Sequence, residues 1–231
     1  MAVLECKALS KQYREIAALD AIDLSLEAGQ IIGLLGPNGS GKTTLIKLAN
    51  GLIKPTSGQI LIEGMAPCVE TKAKVAYLPD RNFLPEYMST AQLLDYYQDF
   101  FVDFDRKRAI DMLTNLGLDV SKRLKELSRG TREKVQLILT MSRNAHIYLL
   151  DEPIAGVDPA ARDYILRTII SNYSPDSLVL ISTHLITDIE SVLDDVIFLK
   201  QGHMVLHESA DDLRERTGKS VDGLFREVFA C

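Results

Sequence analysis

The chain has 231 residues, of which 46% are hydrophobic and 25% charged, and its formal net charge is −6. This composition is typical of a globular protein with one sizeable core, and the acidic balance argues against a dedicated nucleic-acid surface. Its three cysteines, Cys6, Cys68 and Cys231, are far apart in sequence, which favours a reducing, cytoplasmic environment. Apolar runs stay well below the ~18 residues that indicate a membrane-spanning helix.

The first 35 residues predict an antiparallel β layer that leads into a parallel sheet. Segments 3–9 and 18–26 alternate partly between apolar and polar residues and predict two strands, with a polar turn at 10–14. The apolar run 30–35 has the length of a buried strand. The residues expected on the inner face of the second strand are Leu19, Ile22, Leu24 and Leu26.

Residues 36–44 read GPNGSGKTT and fit the phosphate-loop pattern G-x-x-x-x-G-K-[ST] between a predicted strand and a predicted helix. Such a loop turns its N–H groups inward to form a nest for phosphate, at the positive end of the helix. Lys42 would reach the β- and γ-phosphates, Thr43 would bind Mg²⁺ and Thr44 would contact the α-phosphate. The alternative is a glycine-rich turn without a ligand. The candidate binding residues are Gly36, Asn38, Gly39, Ser40, Gly41, Lys42, Thr43 and Thr44.

Helices dominate the middle of the chain, after two further predicted strands at 59–64 and 74–79. Ser89 is a candidate helix N-cap, a second helix is predicted from 105 to 116, and a third follows Ser128. We call the segment 83–143 the helical block. Its aromatic residues are interpreted as packing residues, with a partner-facing patch as the alternative: Tyr96, Tyr97, Phe100, Phe101 and Phe104.

Strand and helix patterns then alternate again. Buried strands are predicted at 146–150 and 178–182, with a helix between them that Asp158 would cap. A hairpin over 196–206 and two short amphipathic helices follow. The overall pattern predicts an α/β fold of the P-loop NTPase type.

Asp151 and Glu152 follow four apolar residues of a predicted strand. This is the Walker B arrangement, in which Asp151 would hold Mg²⁺ through water and Glu152 would accept a proton from an attacking water. The alternative is an acidic turn after a strand.

Residues 127–131, LSRGT, resemble the LSGGQ signature of ABC-type ATPases. Further matching motifs are Pro-Thr-Ser-Gly at 55–58, the D-loop at 155–159, the switch histidine at 182–184, and Tyr13 upstream of the phosphate loop. The whole chain therefore resembles an ABC transporter nucleotide-binding subunit. The resemblance implies a RecA-like mixed-sheet core with an antiparallel β layer and an inserted helical subdomain. It also implies one domain over 1–231, with 1–82 and 144–231 as core and 83–143 as the helical subdomain.

The resemblance also assigns roles to individual residues. Tyr13 would stack on adenine, although an edge-strand tyrosine is the alternative. Ser128 and Gly130 would contact the γ-phosphate held by a second subunit, and Asp158 would communicate across that dimer. His184 would hold the γ-phosphate and attacking water in line; the alternative is a polar loop residue.

Two positions depart from the family pattern. Arg129 and Thr131 stand where the signature favours Gly and Gln, so we expect activity with a modified dimer contact. Asp80 stands in the place of the Q-loop glutamine. We expect its carboxylate to help hold Mg²⁺, with a solvated loop acid as the alternative.

The function implied is ATP hydrolysis coupled to transport, with ATP and Mg²⁺ as cofactors. The expected partners are a second ABC ATPase subunit, identical or related, and an integral membrane permease; no nucleic acid is expected. The protein would lie in the cytoplasm, peripherally on the inner face of the cell membrane, and resembles subunits of export systems. The alternatives are a soluble ABC ATPase acting on DNA or ribosomes, and a regulatory partner that no longer hydrolyses ATP.

Overall fold

The structure, a computed structural model, describes residues 2–155, 157 and 159–230, without the side chains of 159–161. Its strands form a three-stranded antiparallel sheet and a six-stranded mixed sheet. The strands are β1 (Leu4–Tyr13), β2 (Ile16–Leu26), β3 (Ile31–Leu35), β4 (Ser57–Ile62), β5 (Val75–Leu78), β6 (Ile147–Asp151), β7 (Leu178–Thr183), β8 (Asp195–Lys200) and β9 (His203–Ser209). The α-helices are α1 (Lys42–Ala49), α2 (Val69–Lys74), α3 (Thr90–Phe100), α4 (Arg106–Asn115), α5 (Arg129–Met141), α6 (Pro159–Asn172), α7 (Ile186–Ile189), α8 (Ala210–Thr217) and α9 (Val221–Phe229). A 3-10 turn spans Leu124–Glu126.

The antiparallel sheet has the order β2–β1–β4. All four residues predicted for the inner face of β2 are buried, which confirms that prediction. The predicted turn at 10–14 is wrong, because β1 continues to Tyr13 and pairs there with Ile16. A two-residue hairpin loop is sufficient for this reversal, and its first residue, Arg14, has a φ of 55°.

The mixed sheet has the order β5–β6–β7–β3–β8–β9, and only β9 runs antiparallel to its neighbour. Parallel strands present their carboxyl ends at one edge, where ligands of open α/β sheets bind. Since β6, β7 and β3 are consecutive neighbours, the loops that follow them meet at that edge. The order therefore brings the phosphate loop, Asp151 and the segment after Thr183 together.

Each face of the mixed sheet buries its own apolar cluster. Along β6, Ile147 and Leu149 face the antiparallel sheet and α1. Tyr148 and Leu150 face the opposite side, where α5 and the helices that follow it in the chain pack. This strand is fully buried, so both sets of side chains stabilise the fold through removal of apolar surface from water. Truncating Leu149 to alanine in such a site costs roughly 2–5 kcal/mol.

The helical block contains a third apolar cluster, built from α3, α4 and α5. Ser89, Asp105 and Ser128 each accept a backbone N–H bond at the start of one of these helices. The sequence predicts the caps at Ser89 and Ser128, whereas Asp105 is predicted only as the first residue of a helix. Of the aromatic residues, Tyr97 and Phe104 are buried, while Tyr96 and Phe100 are exposed and stack with ring centroids 5.6 Å apart.

Arg143 connects the helical block to the mixed sheet. Its guanidinium donates to the backbone carbonyl of Val75 at 2.7 Å and to both carboxylate oxygens of Asp103 at 3.0 Å. The side chain is almost completely buried, and Phe101 covers it with its ring centroid 4.1 Å away. A desolvated arginine with this many partners fixes the angle at which the block meets the sheet.

Among the described residues, no helix combines the length and apolar character required to cross a membrane.

Candidate active site

The phosphate loop leaves β3 and enters α1 through two glycines that no other residue type could replace without strain. Gly41, the N-cap residue of α1, has a φ of 112°, and a Cβ added there would lie 2.5 Å from the carbonyl oxygen of Ala18. A Cβ on Gly36 would lie 2.4 Å from the carbonyl oxygen of Leu199. The loop is therefore packed from behind by β2 and β8, and its open side is the N-terminus of α1.

Lys42 folds back onto this loop. Its ammonium donates to the carbonyl oxygens of Gly36 and Pro37 at 2.7 and 3.2 Å, and lies 3.8 Å from Glu152 Oε1. Only 5% of the residue is exposed. Burial lowers the pKa of Lys42, while the carboxylates of Glu152 and Asp151 oppose that shift. The ammonium of Lys42 therefore lies directly at the phosphate loop.

Asp151 is fully buried at the end of β6. Its Oδ1 accepts hydrogen bonds from Thr43 Oγ1 at 3.1 Å and Ser182 Oγ at 2.5 Å, whereas its buried Oδ2 has no partner within the described part of the chain. Burial raises the pKa of Asp151, the hydrogen bonds oppose the rise, and the charges of Asp80 and Glu152 add to it. An orphaned carboxylate oxygen beside a hydroxyl fits a hard cation such as Mg²⁺.

Glu152 and His184 are in contact although they follow different strands. The Nδ1 atom of His184 lies 3.1 and 3.0 Å from the two carboxylate oxygens of Glu152. Glu152 has a φ of 51°, which is unusual for a residue with a side chain, and its N–H donates to the carbonyl of Ser182 at 2.9 Å. This bond fixes the backbone that aims the carboxylate.

Tyr13 lies at the edge of the phosphate loop. It lines a cavity of about 260 Å³ together with Ala18 and residues 38–44. The residue is 44% exposed, and the ammonium of Lys11 lies 5.2 Å from the ring centroid. An exposed aromatic face beside the phosphate nest suits stacking with a planar base.

The signature residues are not part of that cavity. Ser128 caps α5 by accepting the N–H of Thr131 at 3.2 Å, and its hydroxyl lies 2.8 Å from Thr131 Oγ1. A Cβ on Gly130 would meet no atom within 4 Å, so the helix start is open. Arg129 is exposed and pairs with Glu133 at 2.9 Å. Asp158, the predicted D-loop residue, lies outside the described residues.

Asp80 is exposed in the loop after β5, next to Arg81. This loop is held from the helical block by Gln136, which is only 4% exposed. The Gln136 amide accepts the N–H of Phe83 at 3.4 Å and donates to the carbonyl of Arg81 at 3.3 Å. Sequence reasoning missed Gln136, because its position in α5 signals a helix interior and nothing more.

Arg162 is a second residue that the sequence did not single out. Its guanidinium donates to the carbonyl of Val157 at 3.0 Å and to Asp188 Oδ2 at 2.8 Å. It therefore joins the segment that follows Glu152 to α7, the short helix that follows His184.

Comparisons with known proteins agree with this geometry. The family model described as ABC transporter matches residues 19–155. ABC transporter ATP-binding protein YtrB of Bacillus subtilis is 31% identical over 92% of this chain and 74% of its own length. The SkfA peptide export ATP-binding protein SkfE of the same organism is 30% identical over 89% of this chain and 88% of its own length.

A solved structure described as the ATP-binding subunit of an ABC transporter superposes with a TM-score of 0.88 at 26% identity. The superposition covers 98% of this chain and 99% of the chain in that structure. The chain belongs to the ABC transporter family, as an ATP-binding cassette with ATPase activity.

Proposed function

We propose that two copies of this subunit, or one copy and a related chain, close around two ATP molecules and thereby drive a separate membrane-spanning exporter. The observation that carries the proposal is the separation of Ser128 and Gly130 from the cavity formed by the phosphate loop and Tyr13. An uncovered helix N-terminus is a binding site for an anion. In a dimer, the signature helix of each copy would supply that end to the γ-phosphate bound by the other.

ATP binding begins at the phosphate loop. Inward N–H groups and the positive end of α1 would surround the β- and γ-phosphates. Lys42 would exchange its bonds to the carbonyls of Gly36 and Pro37 for bonds to phosphate oxygens. Tyr13 would stack on the base.

Hydrolysis would use the Glu152–His184 pair. Glu152 accepts a proton from water while the water oxygen bonds to the γ-phosphorus. The bond between that phosphorus and the β–γ bridging oxygen breaks, leaving ADP and inorganic phosphate. His184, held against Glu152 at 3.0 Å, orients the carboxylate and the water.

Thr43, Asp151 and Asp80 are the residues that would hold Mg²⁺. When bound, the ion would neutralise part of the charge on the β- and γ-phosphate oxygens. The unpartnered Oδ2 of Asp151 supports this assignment, and the influence of Asp80 on the pKa of Asp151 is consistent with a position nearby.

A groove beside the Asp80 loop is suited to the membrane partner. A cavity of about 270 Å³ lies between this loop and the end of α1, and it is bordered by Leu52 and Phe83, which are 53% and 48% exposed. Exposed apolar side chains around a concavity are typical of protein docking sites. Docking there would place the subunit on the inner face of the membrane, and the similarity to the peptide-export subunit SkfE supports the export direction.

The dimer is tested by light scattering with the Glu152→Gln variant, in which hydrolysis would not reopen the complex. We expect a dimer with Mg-ATP and a monomer with Mg-ADP. Adding Ser128→Arg to the variant should prevent dimerisation while ATP still binds. A monomer under all conditions, with ATP bound, would contradict the proposed sandwich.

The membrane partner is tested by fractionation. Expressed alone, the protein should remain in the supernatant after ultracentrifugation, and co-expression with a multispanning protein encoded by a neighbouring gene should move it to the membrane fraction. Strong membrane binding of the lone subunit would contradict this part of the proposal.

A further inference from the structure

The tip of the hairpin between β8 and β9 contacts the phosphate loop from behind. The N–H of Gly202 donates to the carbonyl oxygen of Ser40 at 3.0 Å, and the carbonyl of Gly202 accepts the N–H of Asp20 at 2.9 Å. Gly202 is buried. One residue of the hairpin thus links the phosphate loop to β2 through its two backbone groups.

This contact has a consequence for the neighbouring peptide group. In a trans peptide, the C=O of one residue and the N–H of the next point in opposite directions. Holding the carbonyl of Ser40 toward Gly202, behind the loop, therefore turns the N–H of Gly41 toward the open side. Gly41 is the N-cap residue of α1, so this N–H belongs to the phosphate nest.

We propose that Gly202 is a positioning residue for phosphate binding, which keeps the Ser40–Gly41 peptide oriented so that the Gly41 N–H faces the β- and γ-phosphates. The inference rests on the proposed role of the phosphate loop and extends it to a segment about 160 residues later in the chain. It predicts an effect on phosphate affinity that is independent of the base.

The position requires glycine for two reasons. Gly202 has a φ of 81°, and a Cβ there would lie 3.1 Å from the backbone carbon and oxygen of Ala18. The far side of the hairpin is anchored, because Lys200 donates to the carbonyl of Val228 at 2.9 Å. An added methyl group would therefore displace the tip relative to the phosphate loop.

Gly202→Ala tests the inference, with Gly64→Ala as the matched control. Gly64 has a φ of 78°, but a Cβ there meets no atom within 4 Å. Affinities for Mg-ATP and for inorganic tripolyphosphate, which has no base, are measured by calorimetry. We expect Gly202→Ala to lower the affinity for both ligands about tenfold, which is the effect of weakening one hydrogen bond to a charged group. The affinities of Gly64→Ala should equal those of the parent. Equal affinities in the two alanine variants would overturn the inference.

Two further variants separate this inference from the function on which it rests. Tyr13→Ala should lower the affinity for ATP but leave the affinity for tripolyphosphate unchanged, whereas Lys42→Ala should lower both affinities. If the parent protein binds neither ligand, the phosphate-loop assignment itself fails. If the parent binds both and Gly202→Ala binds them equally well, only the role of Gly202 fails.

Hydrogen exchange in the parent protein provides a test that needs no variant. Thermodynamic coupling between two equilibria is reciprocal. If the Gly202–Ser40 hydrogen bond raises the affinity for phosphate by some factor, bound phosphate must stabilise that hydrogen bond by the same factor. We expect exchange of the Gly202 amide to slow about tenfold when tripolyphosphate saturates the protein. An unchanged rate would overturn the inference even if Gly202→Ala failed to fold.

Discussion

The imidazole Nδ1 of His184 lies within 3.1 Å of both carboxylate oxygens of Glu152. An ionised carboxylate can only accept hydrogen bonds, so Nδ1 carries the proton in this pair and Nε2 is the ring nitrogen left for a ligand. The contact fixes the orientation of the Glu152 carboxylate. This orientation suits the proposed role of Glu152 in taking a proton from water.

Glu152→Gln removes the proposed base and preserves the shape of the side chain. We expect nucleotide affinity close to that of the parent and a hydrolysis rate that falls ~10²–10⁴-fold, the usual contribution of one general base. Phosphate release in single-turnover experiments measures this rate. Glu227→Gln, an exposed substitution in α9, serves as the control. Near-normal turnover of Glu152→Gln would show that another group accepts the proton.

Lys42→Ala removes the only ammonium that lies against the phosphate loop in the described structure. Charge-assisted bonds to phosphate oxygens are lost, so we expect ATP affinity to fall about 100-fold or more. Lys47→Ala, at the other end of α1, should leave affinity unchanged. Isothermal titration measures both constants. Equal affinities of parent and Lys42→Ala would be incompatible with a phosphate loop at 36–44.

The order of strands and helices was largely predictable because each pattern is local. Ser89, Asp105 and Ser128 start helices as predicted, since a capping side chain bonds a backbone N–H only a few residues away. The short helices α2 and α7 were missed, because six and four residues span less than two helical turns, too few for a repeating apolar spacing to be recognised.

The individual motifs of the candidate site were also visible in the sequence, but their supporting contacts were not. Gly202 and Ser40 are joined by backbone atoms, so neither residue type identifies the other as its partner. Arg162 in α6 contacts Asp188 in α7, which lies on the other side of β7 in the chain, and Gln136 contacts the Asp80 loop from α5. Such pairs depend on how the elements pack, and one sequence contains no information on which distant residues meet.

Arg162 closes a ring of contacts around the proposed catalytic pair. The segment that follows Glu152 contains Val157, whose carbonyl accepts a hydrogen bond from Arg162. Arg162 also pairs with Asp188 in α7, a few residues after His184. We therefore predict that Arg162→Met lowers kcat about tenfold and leaves KM for ATP nearly unchanged, because a small displacement affects alignment more than binding. Arg162→Lys, which retains the charge toward Asp188, should recover part of the rate.

Steady-state kinetics and thermal unfolding of Arg162→Met, Asp188→Asn and the double variant check this prediction. Residues in direct contact should show effects that do not add. A loss of stability with unchanged kcat would assign Arg162 a structural role only.

Asp80 occupies an exposed loop position from which its charge still raises the pKa of the buried Asp151. Burial is the main cause of the raised pKa of Asp151, and the Asp80 charge adds a smaller contribution, so the two carboxyl groups lie within electrostatic range of each other. The loop is held by Gln136 on the helical block, so movement of the block would also move Asp80. Asp80 is thus suited to link Mg²⁺ binding to the membrane partner.

Asp80→Ala separates a metal-binding role from that of a solvated loop acid. If Asp80 helps hold Mg²⁺, half-maximal ATPase activity should require several-fold more Mg²⁺, because one hard oxygen ligand is lost, while nucleotide binding measured in EDTA stays the same. Asp80→Asn retains an oxygen ligand without the charge, so its Mg²⁺ requirement should lie between those of the parent and Asp80→Ala. Asp176→Ala, another exposed loop acid, controls for the loss of surface charge. If the Mg²⁺ dependence and the partner-stimulated rate of Asp80→Ala both match the parent, Asp80 has neither role, and the coupling function of this loop must lie with a neighbouring residue.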